Sequence, residues 1–166
     1  SSLKENVDPA SDYYVKTGPW YANSKNNIII RFADVLLMRA EALIESDGGN
    51  LEEARELINQ IRNRAKISTS LIGFAGNLEI NTYGAEGWNK DYARKALRWE
   101  RRLELAMEGS RFFDLVRWGI ADGVMNTYYL GEAVDHTYYQ GAQFTKNKNE
   151  YVPVPVQQIN FSKGNY

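Results

Sequence analysis

The chain has 166 residues, enough for one domain with a real core, and 43% hydrophobic with 25% charged residues argues for a folded rather than a disordered protein. Twenty Lys and Arg against 21 Asp and Glu leave a net charge of -1, without the basic excess that binding to a phosphate backbone requires, so no nucleic-acid partner is expected. With no cysteine, disulfides, thiol catalysis and thiolate metal sites are excluded, and no apolar run approaches the length that crosses a bilayer.

Residues 1–27 show no sustained period. Tyr13 to Lys16 reads as a short strand and Thr17-Gly18-Pro19 as a turn. From Ile28 to about Ser46 the pattern is helical. Its apolar residues (Ile29, Phe32, Val35, Leu36, Leu37, Met38, Leu43) wrap most of the circumference, which predicts burial on more than one side. Gly48-Gly49 ends this helix. Asn50, followed three residues later by Glu53, predicts a capping box that opens a second helix to about Lys66. The inner face of that helix is Leu51, Ala54, Leu57, Ile58, Ile61 and Ala65. Two helices joined by a short glycine turn form an antiparallel hairpin. Ala42 and Ala54, twelve apart, match the paired small positions of a tetratricopeptide (TPR) unit, with Ile58 as its large apolar residue; no second copy follows at the repeat period.

Residues 67–90 read as a loop rich in Gly, Asn, Ser and Thr. A third helix is predicted from about Asp91 to Glu108, with Tyr92, Ala96, Trp99, Leu103, Ala106 and Met107 as its apolar stripe. Gly109 ends it, and Ser110 caps a short helix from Arg111 to Trp118, ended by Gly119. Ala121 to Asn149 reads as irregular and Tyr-rich. Tyr151 to Val156, with Pro153 and Pro155, reads as extended. The fold class is mainly α: a TPR-like helical hairpin plus further helices, with long irregular loops and little strand.

The densest charge pattern places Glu100, Glu104 and Glu108 at four-residue spacing, one strip of a helix, with Arg101 and Arg111 as possible counter-ions. Two carboxylates across a cleft could perform glycosidase-type chemistry. Carboxylates along one helix point the same way, however, and interleaved arginines favour a structural ion-pair network. His136 is the one histidine, so a triad needing a second imidazole and a histidine-based metal site are both unexpected. No phosphate-cradling glycine loop or calcium-loop spacing occurs, and no cofactor or metal is implied.

The run from Ala96 to Gly119 (Ala-Leu-Arg-Trp-Glu-Arg-Arg-Leu-Glu-Leu-Ala-Met-Glu-Gly-Ser-Arg-Phe-Phe-Asp-Leu-Val-Arg-Trp-Gly) resembles the most recognisable stretch of the SusD/RagB family. Ile29 to Ala42 is similar to the family's "IR-aEvlLm-AEA" helix, with Asp34 where Glu is usual. Tyr151 to Pro155 is similar to its "YLPIP" segment, and Gly164-Asn165-Tyr166 to its closing "NPGY", with altered order and no Pro. The four stretches fall in the family's order across most of the chain.

This resemblance implies an outer-membrane, surface-exposed lipoprotein of Bacteroidetes. Such a protein sits over a SusC-like TonB-dependent transporter and binds glycans, or in some cases peptides, for import, without a catalytic role. It also implies that residues 1–166 are the C-terminal portion of a longer SusD/RagB-like domain, with membrane attachment only through a lipid anchor in the missing N-terminal part. A TPR-like protein-interaction scaffold without a small-molecule ligand is the alternative, and a carboxylate hydrolase the third class. Sugar rings stack on exposed aromatic faces flanked by hydrogen-bonding side chains. On that ground the expected ligand-binding residues are Trp20, Tyr21 and Asn23, then Tyr83 and Trp88 with Asn81 and Asn89 beside them. The Tyr128–Tyr129 and Tyr138–Tyr139 pairs come after these.

Overall fold

The computed structural model describes residues 10, 12, 14, 24, 28–71 and 79–163. Six helices occur among them: α1 (Phe32–Glu45), α2 (Leu51–Leu71), α3 (Lys90–Glu104), α4 (Ser110–Arg117), α5 (Ala121–Glu132) and α6 (Val156–Phe161). The only β feature among the described residues is an isolated bridge at Tyr14; the rest of the Tyr13–Lys16 strand and the Thr17–Pro19 turn lie outside them. The chain divides into two compact units, Ser1–Gly109 and Ser110–Tyr166.

In the first unit α1 packs against both α2 and α3. Its buried residues are Leu37, Ala40 and Ile44, which join Ala54, Ile58 and Ile61 of α2 and Ala93 and Leu97 of α3 in one core. α1 starts at Phe32 rather than Ile28, and its packing against two helices meets the expectation only in part: Leu37 is buried and Leu36 and Leu43 partly so, whereas Ile29, Phe32, Val35 and Met38 are exposed, Phe32 by 70%. The small residue that α1 buries is Ala40, not Ala42, which is exposed; Ala54 and Ile58 are fully buried as the TPR spacing predicts. The shift follows from the 3.6-residue period, because Leu37, Ala40 and Ile44 share a face that Ala42 does not.

The cap on α2 is half of a capping box. Asn50 Oδ1 accepts from the Glu53 N–H at 3.0 Å, while the Glu53 carboxylate pairs instead with Arg39 of α1. The helix continues past Lys66 to Leu71, because the next strong breaker in the sequence is Gly73. At the hairpin turn, Gly48 adopts φ +71° and Gly49 presses against α1.

α3 begins one residue before the expected start, with the Asn89 side chain accepting from the Tyr92 N–H at 3.0 Å. It ends at Glu104 rather than Glu108, and the chain then turns through Met107 at φ 66° and Gly109 at φ 80°. Its buried face is also rotated from the expected stripe. Ala93, Ala96, Leu97, Glu100 and Arg101 face inward, whereas Tyr92, Trp99, Leu103 and Met107 are exposed.

In the second unit, α4 and α5 pack around Leu115, Ala121 and Phe144, with Met125 and Tyr129 against them. α5 corrects the reading of Ala121–Asn149 as irregular. Gly123, Gly131 and β-branched Val124 and Thr127 are weak helix formers, but Ala121, Met125 and Tyr129 recur every four residues and bury against this core. Asn126 secures the following segment by donating to the Phe144 carbonyl at 3.0 Å and accepting its N–H at 2.7 Å. Tyr151–Pro155 is non-helical as expected, and α6 starts directly after it, at Val156.

A Cβ on Gly49 would lie 1.9 Å from the Leu43 carbonyl oxygen, whereas one on Gly84 would meet nothing within 4 Å. Gly49→Ala should therefore lower stability by about 1–3 kcal/mol and Gly84→Ala by less than about 0.5 kcal/mol. Urea unfolding of the two variants side by side checks this.

Candidate functional site

The strip Glu100–Glu104–Glu108 is gripped from outside its own helix. Arg62 of α2 pairs with Glu100, and Arg31, just before α1, pairs with Glu104 and also donates to its carbonyl at 2.6 Å. Arg31 further holds Glu108 with two hydrogen bonds of 2.8 and 2.9 Å, and Arg64 reaches Glu104 at 2.6 Å. Arg101, expected as a counter-ion of the strip, reaches Asp34 of α1 at 2.8 Å, because successive residues of a helix diverge by about 100°. Glu100 is 4% exposed and the Glu104 side chain 10%. A groove of about 320 Å³ lies alongside, lined by Ile61, Arg62, Trp99, Glu100, Leu103 and Glu104. Each carboxylate of the strip is thus engaged by a guanidinium group from outside α3.

Tyr83 is built into the same lattice. Asn59 accepts its N–H at 2.8 Å and donates to its carbonyl at 2.9 Å, and Arg55 donates to that carbonyl at 2.7 Å. Its hydroxyl donates to Glu100 at 2.9 Å, and the Arg62 guanidinium lies 4.7 Å from its ring centre. Burial, reinforced by the Glu100 carboxylate, pushes the phenol well above the usual tyrosine range. Trp88 donates its indole N–H to the Leu51 carbonyl at 2.8 Å. Tyr83, Trp88 and Tyr92 form an aromatic triad with centroid separations of 5.4–6.0 Å. Tyr83 and Trp88 are partly buried against the core, with Tyr92 exposed at its edge. Asn81 lends its carbonyl to Arg62, and Asn89 caps α3. Trp20, Tyr21 and Asn23 lie outside the described residues.

A second aromatic group lies in the other unit. The end of α5 and the 3-10 turn Thr137–Tyr139 bring together Tyr128, Tyr129, Tyr138 and Tyr139, two pairs ten residues apart in sequence. Tyr129 stacks on Tyr139 at 5.7 Å and 23°, Tyr138 lies 4.7 Å from Tyr139, and His136 stacks on Tyr138 at 5.4 Å and 22°. Hydrogen bonding with Tyr139 holds the Tyr128 phenol up at about 12. The sequence signal was the two Tyr-Tyr pairs; their union depends on α5, which sequence periodicity did not show. Among the described residues no three His, Asp or Glu side chains are placed to hold a metal ion.

The first unit is thus a set of packed helices, α1–α3, whose acidic strip is neutralised by arginines. The sequence profile of the SusD family matches residues 2–165, and the chain belongs to that family. Three relatives come from Formosa agariphila. SusD-like protein P25 is 30% identical over 87% of this chain and 24% of its own length. SusD-like protein P2 is 36% identical over 82% of this chain and 24% of its length. SusD-like protein P38 is 37% identical over 74% and 20%. The chain therefore spans about a quarter of the length of the relatives it matches.

Removing Glu100 strands both the Arg62 guanidinium and the Tyr83 hydroxyl. Glu100→Ala should cost about 3 kcal/mol, and a double-mutant cycle with Arg62→Ala should show coupling above about 1 kcal/mol. Because folding keeps the Tyr83 phenol protonated beyond the point where an unfolded tyrosine ionises, its contribution is complete below about pH 10 and is lost as pH rises further. Tyr83→Phe should lower stability at pH 7 and flatten its fall between pH 9 and pH 11, on the order of one titrating group, in urea melts across that range.

Proposed function

We propose that this chain is the C-terminal portion of a non-catalytic nutrient-binding protein that captures glycans at the bacterial outer-membrane surface. Captured ligand passes to a SusC-like TonB-dependent transporter, and a lipid anchor elsewhere in the longer polypeptide holds the protein to the membrane. The observation that carries this reading is family membership across residues 2–165. The clamped Glu100–Glu104–Glu108 strip adds to it, since it removes the most obvious acid–base pair from chemistry. Among the described residues no helix is long and apolar enough to cross a membrane.

The share of the relatives that the chain covers gives the open faces of the first unit a role. Phe32, Val35 and Met38 on α1, and Trp99 and Leu103 on α3, offer apolar area for the remaining part of the polypeptide to cover. Ligand contact is assigned to Trp20, Tyr21 and Asn23, and to the outward ring area of Tyr83 and Trp88. Because Trp88 is also packed against the core, its substitution is read together with a melting curve.

Calorimetric titration of the full-length protein with a panel of oligosaccharides tests the reading. Binding at micromolar concentration is expected, with affinity falling roughly tenfold in Trp20→Ala and Trp88→Ala, the scale of one lost stacking contact. Unchanged affinity in both variants removes those residues from the site. Binding of peptides and no glycan moves the ligand to that class, and oligosaccharide cleavage removes the non-catalytic assignment.

A further inference from the structure

We infer that the tyrosine group at the end of α5 is a binding surface for an uncharged oligosaccharide, distinct from the aromatic triad of the first unit. This inference rests on the glycan reading above and adds to it a location and a ligand class.

Four phenols and an imidazole are gathered here, with neighbouring ring centroids 4.7–6.1 Å apart. A core packs its aromatic rings inward. Here Tyr129 alone joins the apolar core of its unit, while Tyr138 is 74% exposed and Tyr128 is exposed beside it. Tyr129 and Tyr139, stacked and partly buried, support the outer rings, which limits the side-chain entropy lost on binding. A tyrosine ring presents an apolar face bordered by a hydroxyl, which matches a pyranose ring with its C–H face and peripheral hydroxyls. Thr137 and Gln140, both exposed, add neutral hydrogen-bonding groups to the turn.

The charge of the segment selects the ligand. Between Tyr128 and Gln140 the charged residues are Glu132 and Asp135, with no Lys or Arg. Glu132 lies 3.8 Å from His136, so the one potential cation is already beside a carboxylate. A sulfated or uronate-rich chain would bring its anions toward these acids, with no Lys or Arg in the segment to neutralise them. A neutral oligosaccharide meets no such opposition.

The full-length protein is titrated with maltohexaose, laminarihexaose, xylohexaose and mannohexaose, and in parallel with oligogalacturonate and a sulfated carrageenan oligosaccharide. At least one neutral hexaose should bind more tightly than either anionic probe. Tyr138→Ala should weaken that binding about tenfold and Tyr138→Phe less than about threefold, with unchanged melting curves, because Phe keeps the stacking face. If a neutral hexaose binds and neither Tyr138→Ala nor Tyr128→Ala alters its affinity, the surface is overturned while the glycan reading stands. Preference for the anionic probes overturns the ligand class. Binding of none of the six overturns the glycan reading and this inference with it.

Discussion

Arginine–carboxylate pairing decides how the third helix sits on the hairpin. α3 has two faces that could be buried. One is apolar and carries Tyr92, Trp99 and Leu103; the other carries Ala93, Ala96 and Leu97 together with Glu100 and Arg101. The second goes inward because Arg62 waits for Glu100 and Asp34 for Arg101. Burying a Trp or Leu contributes about 2–3 kcal/mol, comparable to the 3–5 kcal/mol lost when one partner of a buried pair is stripped away. The charged face also brings small alanines that let the helices approach closely. Arg31 and Arg64 extend the pairing to Glu104 and Glu108, so α1, α2 and α3 are tied at one end of the unit.

Much of this was legible in the residues and some was not. Asn50 and the glycine pair announced the hairpin, and Ala54 and Ile58 its core. The four-residue spacing of Glu100, Glu104 and Glu108 announced a strip that needed cations. Which cations was not legible, since Arg31, Arg62 and Arg64 lie 38 to 77 positions away and only tertiary packing brings them in. The rotation of α3 escaped for the same reason: periodicity marks the most apolar face, while the inward face carries the alanines and the charges that α1 and α2 meet. α5 escaped because two glycines and β-branched residues mask a helix that tertiary contacts with Leu115 and Phe144 sustain. Of the aromatic residues singled out for ligand contact, Tyr83 and Trp88 prove also to fasten a loop to the core, with their polar atoms engaged within the unit.

The family's characteristic run from Ala96 to Gly119 thus acquires a physical meaning in this chain. Its acids Glu100, Glu104 and Glu108 are gripped by arginines from outside the run and its Arg101 reaches Asp34, Gly109 and Gly119 occupy left-handed conformations that end α3's turn and α4, and Asp114, 3% exposed, is held by Arg117 at 2.9 Å. These are requirements of a frame, and the proposed function leaves recognition to rings outside it.

The most direct test of that division is Glu104→Gln in the full-length protein, with melting temperature and oligosaccharide affinity measured on the same preparation. A melting temperature lower by a few degrees, with affinity within about twofold of the unsubstituted protein, is the outcome the frame requires. An unchanged melting temperature accompanied by loss of affinity, or of a hydrolytic activity present in the unsubstituted protein, would place the acidic strip in the site and contradict it.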